Sequence, residues 1–151
     1  MAAVVLDSNL TILLIVGLTA PELIGRHKRL RAYSVEDFEC LIQLLEGYSP
    51  IIVTPNTLTE SSSLFRQIPE PARSRISDTF VRFVETATEE YVASETVVRY
   101  NEFARLGLTD VVLLDRMTHA RLLLTADHDL FVAAVQRRYT AINFNHVRPS
   151  R

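Results

Sequence analysis

The pattern that most constrains this chain occurs near both ends: a short, apolar run that stops at an acid and passes straight into helical sequence. A-V-V-L ends at Asp7, and L-L-L-T is followed by Ala126, Asp127, His128 and Asp129. Runs this short, flanked by helix starts, read as strands buried on both faces. Each then delivers a carboxylate at the carboxyl end of a strand.

The rest of the chain fits that alternation. Ala2 to Leu6 is the first strand, with helix from about Asn9 to Gly17. Ala20 to Tyr33 holds Pro21, Gly25 and dense charge, and reads as a loop or broken helix. Ser34 opens a helix with a capping box closed by Asp37, and Phe38, Leu41, Ile42 and Leu45 fall on one face of it. Gly47 and Pro50 end it. Ile51 to Val53 is a second strand, after which Thr54 caps a helix with Pro55 at its first position. That helix carries Glu60. Ile76, Phe80, Phe83, Val84 and Ala87 mark another amphipathic helix. Tyr91 to Ala93 reads as a minor strand, Ser94 as a cap, and Gly107 as a helix end. Thr109 is expected to cap a helix beginning at Asp110. Arg121 to Thr125 is a strand, Asp127 to about Arg138 a helix, and Tyr139 to Phe144 a last strand. Strands alternating with helices predict an α/β fold, a single domain over residues 1–151 with a short, mainly parallel central sheet.

In such sheets ligands bind beyond the carboxyl ends of the strands. Asp7, Glu60, Asp127 and Asp129 are placed near that edge, with Asp110 completing the group. Each acid has a structural explanation: Asp110 and Asp127 lie in first turns, where the helix dipole favours a carboxylate, and Asp7 can cap its helix. Together they point further. Converging carboxylates repel unless a proton or cation compensates, and their oxygens are hard ligands suited to Mg²⁺ or Mn²⁺. Ser8, Asn9 and Thr125 are polar neighbours able to orient them.

V-L-D-S-N-L at Asp7, the acid at Glu60, G-L-T-D at Asp110 and L-T-A-D-H-D-L at Asp127 come in an order and spacing that resembles the PIN-domain ribonucleases, in particular the VapC-like toxins of bacterial toxin–antitoxin pairs. The resemblance spans essentially the whole chain. It implies a three-layer PIN-like sandwich and a metal-dependent endoribonuclease. In that reading Asp7, Glu60, Asp110 and Asp127 bind Mg²⁺ or Mn²⁺, and a metal-activated water attacks phosphorus. Asp127 and Asp129 both match the fourth acid; Asp127 is preferred, with Asp129 as an auxiliary ligand. The resemblance further implies a homodimer inhibited by a small antitoxin protein.

Net charge, −2, is weak ground against nucleic-acid binding, because the five clustered acids leave the remainder positive. Arg26, Lys28, Arg29 and Arg31 are either a solvated face or contacts to RNA phosphates. Their segment is longer and more basic than in compact toxins, and is the candidate for RNA recognition. Fifteen of the 16 basic residues are arginine, which suits phosphate or reflects genome composition. His128 is expected to point away from the acids, and Cys40 to be a small core residue. One cysteine, no signal sequence and no run long enough to span a bilayer lead to a cytoplasmic expectation. Two rivals stand. A phospho-aspartate phosphatase or receiver would need a lysine later than Lys28, the only one here. A non-catalytic RNA- or protein-binding module would be expected to lack one of the acids.

Overall fold

The computed structural model describes residues 1–150. It is an α/β fold built on five parallel strands, β1 (Val4–Leu6), β2 (Ile51–Val53), β3 (Thr88–Glu89), β4 (Leu122–Thr125) and β5 (Thr140–Asn143), in the order β3-β2-β1-β4-β5. Among the described residues eight α-helices flank the sheet, as expected of a three-layer sandwich: α1 (Ser8–Thr19), α2 (Val35–Leu45), α3 (Pro55–Phe65), α4 (Ala72–Thr86), α5 (Ser94–Val97), α6 (Phe103–Leu106), α7 (Leu108–Asp115) and α8 (His128–Gln136). The sheet is parallel throughout, more regular than the mainly parallel one expected.

Strand alternation sorts the core into two layers. Val4, Leu6, Val53, Leu122 and Leu124 pack with α1 to α4 on one face. Val5, Ile52 and Leu123 pack with Leu113 and Leu114 of α7 and with Leu130, Ala133 and Ala134 of α8 on the other. Helix α1 is buried on almost every side, which explains its unbroken apolar sequence. It approaches α2 closely at Gly17, where a Cβ would fall 2.2 Å from the Phe38 ring. No helix among the described residues is long and apolar enough to cross a membrane.

Several local expectations are met in detail. The Ser34–Asp37 capping box forms, and Thr54 caps α3 with Pro55 at its first position. Others are corrected. The minor strand is Thr88–Glu89, not Tyr91 to Ala93, because it is Ile52 and Val53 that offer it a partner edge. Ser94 is the first residue of α5 rather than its cap. Thr109 caps nothing: α7 begins at Leu108 behind Gly107, whose φ of 81° supplies the reversal a β-carbon would resist. Helix α8 is shorter than expected at both ends, with Asp127 as its cap. Residues 20–33 form a 3₁₀ turn, Pro21–Leu23, followed by further turns. Leu23, His27 and Leu30 pin that segment inward while Arg26, Lys28, Arg29 and Arg31 stay exposed.

Candidate active site

Strand β1 runs between β2 and β4, so the chain order reverses direction beside it. That reversal puts a topological switch point at the carboxyl ends of β1 and β4, the place where open parallel sheets bind ligands. Asp7 leaves β1 there, and Asp127 leaves β4.

Both aspartates are helix N-caps. The Asp7 Oδ1 accepts the Leu10 N–H at 2.9 Å. Its Oδ2 accepts the Thr125 hydroxyl at 2.5 Å and the Ala126 N–H at 2.8 Å. Thr125 in turn accepts the Asp127 N–H at 2.9 Å, and Asp127 Oδ1 accepts the Leu130 N–H at 2.8 Å. The expected orienting role of Thr125 is therefore direct: its hydroxyl joins the two strand ends. Ser8 is buried, and its hydroxyl has no hydrogen-bond partner among the described residues. Asn9 is half-buried, with no side-chain hydrogen bond among them.

Asp110 comes in from the first turn of α7 and Glu60 from the exposed side of α3. Burial, then Asp7, Asp127 and Glu60 in that order, push the Asp110 carboxyl up to about 7. Three acids from three other parts of the chain thus act on Asp110. Asp7 is also raised, chiefly by burial and in small part by Asp127, against the opposing pull of its three hydrogen bonds. Among the described residues none of the four lies in a salt bridge. Asp129 is exposed in the first turn of α8, and it is not among the charges acting on Asp110. That favours Asp127 as the fourth acid. His128 is exposed as well.

A divalent cation fits the donor chemistry, since all four groups are hard carboxylates and Asp110 and Glu60 accept no hydrogen bond among the described residues. It does not find a finished cage. Among those residues no three His, Cys, Asp or Glu side chains are grouped closely enough to hold a metal ion as they stand. The Asp7 oxygens are already taken by hydrogen-bond donors, and the Glu60 side chain lies out in solvent.

Two sets of contacts, at Tyr33 and at Arg148, escaped the sequence reading. Burial, and next the Asp7 charge, push the Tyr33 hydroxyl up to about 12, so the basic segment ends next to the acidic group. The Arg148 guanidinium lies 4.7 Å from the centre of the Tyr33 ring and 3.6 Å from Asp37. Neither contact leaves a local motif; both depend on long-range folding. Cys40 is half-buried rather than a core residue. No protein-family model matches the chain, and no curated protein is significantly similar to it.

Proposed function

We propose that this protein is a metal-dependent endoribonuclease of the PIN type, with Asp7, Glu60, Asp110 and Asp127 holding Mg²⁺ or Mn²⁺. One observation carries the reading: Asp7, Asp127 and Glu60 all act on Asp110 beyond the strand ends, and among the described residues no cationic side chain is paired to any of the four. Mutually repelling acids at a ligand-binding edge are an arrangement that a divalent cation offsets. When bound, such an ion supplies Lewis acidity toward a phosphodiester and a more acidic water.

The chain's own residues do the rest. Thr125 and the Ala126 N–H hold the Asp7 carboxylate against the end of β4. The Leu130 N–H fixes Asp127 Oδ1, leaving Oδ2 for a ligand. Asp110, raised to about 7 by burial and its acidic neighbours, would share its carboxyl between a proton and a bound cation. The exposed Arg26, Lys28, Arg29 and Arg31 are available to the RNA backbone. The toxin role, the homodimer, the small antitoxin partner and the cytoplasmic setting rest on the sequence resemblance alone.

A second reading has its own support. With no ready metal group among the described residues and three hydrogen bonds already on the Asp7 carboxylate, the domain would bind RNA or protein without cutting it. Incubating a mixed RNA pool with the purified protein in Mn²⁺, Mg²⁺ or chelator, beside Asp7→Asn, separates the two. The nuclease reading expects metal-dependent cutting that the substitution abolishes. A folded, inhibitor-free sample that cuts in no condition favours the binding module.

A further inference from the structure

We propose, building on the nuclease reading, that the hollow beside Glu60 is a nucleobase subsite, where one unpaired base of a single-stranded RNA stacks on the Tyr91 ring. The hollow has a volume of about 520 Å³ and lies between the start of α3 and the segment leading into α5. Glu60 forms part of its wall, so it adjoins the acidic group rather than standing apart from it.

The lining selects what can enter. It carries one acid, Glu60, and neither lysine nor arginine. The wall offers no cationic side chain to a phosphate, and its other polar groups are neutral, which suits an uncharged base edge. Asn56, Ser94 and Thr109 bring an amide and two hydroxyls to the wall, none with a side-chain hydrogen bond among the described residues. Donors and acceptors left open in this way match the edge of a base, while Pro55 and Tyr91 offer flat apolar faces. Unpaired RNA bases are recognised by this combination of stacking and edge contacts.

Tyr91 is held for the task. An exposed aromatic residue alone is ordinary, but this one is 76% exposed between two anchored neighbours. Glu90 donates its N–H to the Val53 carbonyl at 2.9 Å, and its carboxylate takes both Arg121 nitrogens, at 2.7 and 2.8 Å. Val92 is buried with Val97, Val111 and Val112. The backbone on either side is anchored, and Tyr91 lines the hollow. An anchored backbone lowers the ordering cost when a base stacks on the ring.

The test uses the intact protein in chelator, where no cutting occurs, with a short unpaired RNA carrying 2-aminopurine at successive positions. Stacking quenches that fluorophore. Wild type is expected to quench it strongly at one position. Tyr91→Ala should abolish the quench and weaken binding roughly 5- to 150-fold, the worth of one base on an aromatic ring, while leaving the salt dependence of binding unchanged. Tyr91→Phe should retain the quench. Circular dichroism checks that both variants fold. Unaltered quenching in Tyr91→Ala, or no RNA binding at all, overturns the proposal. So does equally tight binding of free 2-aminopurine riboside, which would make a free nucleoside the ligand. A Tyr91-dependent quench without any cutting activity would remove the nuclease reading and leave the subsite standing. Asp7-dependent cutting with no Tyr91-dependent quench would do the reverse.

Discussion

Asp7 and Asp37 are both buried carboxylates at helix starts, 3% and 0% exposed, yet their surroundings drive them in opposite directions. Asp37 accepts the Ser34 N–H at 3.0 Å, the Ser150 N–H at 3.0 Å and the Ser150 hydroxyl, with the Arg148 guanidinium 3.6 Å away. Burial opposes its charge, but Ser150, Ser34 and Arg148 together hold it below the usual range. Asp7 also has three donors, all neutral, and it faces Asp127 instead of an arginine. Neutral donors do not offset its burial, and its carboxyl is raised. The difference separates a carboxylate that completes the fold from one that the fold leaves raised, with no cationic partner among the described residues. The Arg148 guanidinium sits on the Asp37 side and over Tyr33.

The largest expected effect breaks the comparison through activity. Asp7→Asn should lower RNA cleavage by about 10³-fold or more, beyond the 10–100-fold typical of a supporting group. Asp37→Asn should leave cleavage per folded molecule within about twofold. Single-turnover assays on both variants measure this.

Acid titration sharpens it next, because the two regions have opposite signs. Asp110 titrates at 3.8 when unfolded and at about 7 when folded, so the folded state holds the extra proton between those values. Its contribution is fully present below about pH 4 and is lost as pH rises toward 7, by at most about 4 kcal/mol. Asp37 is lowered on folding, so its contribution is present above its unfolded value and is lost as pH falls through the folded one. Urea unfolding in chelator across pH 4 to 8 should show a slope in wild type that is shallower in Asp110→Asn, where the raised Asp7 still contributes.

Stability at neutral pH reverses the order of the two sites. Asp37→Asn leaves Arg148 without its buried partner and should reduce unfolding free energy by about 2–4 kcal/mol. Asp7→Asn keeps a capping oxygen and removes a disfavoured charge, but its amide NH2 would face the Ala126 N–H, so it should cost about 1–2 kcal/mol, less than Asp37→Asn.

Both regions were legible in the sequence to different depths. S-V-E-D announces the Asp37 capping box because all its partners lie within three residues. Asp7 and Asp127 are equally readable as strand-end acids, since apolar runs of three or four residues declare their own ends. What closes each site is long-range and left no local signal. Ser150 and Arg148 reach Asp37 from over a hundred residues away, and Thr125 reaches Asp7 across 118 positions. The choice between Asp127 and Asp129 needed the cap geometry, because neighbouring acids look alike in sequence. The minor strand was misplaced for a similar reason: Thr88–Glu89 is a strand only because β2 lies alongside it.

The smallest effect concerns the basic segment that ends at Tyr33. Replacing Arg26, Lys28, Arg29 and Arg31 with serine should alter stability by under about 0.5 kcal/mol, since all four are exposed. If they contact RNA phosphates, the slope of log affinity against log salt should fall by up to about 3. An unchanged slope in a filter-binding titration would assign them to a solvated face.

The central claim is that the unpaired acids beyond the strand ends bind a divalent cation. Isothermal titration of Mn²⁺ into the purified protein at pH 8, beside Asp110→Asn and Asp37→Asn, tests it most directly. The account predicts saturable binding to wild type and to Asp37→Asn, with loss of most of the affinity in Asp110→Asn. No binding to wild type, or equal binding to all three, would contradict it.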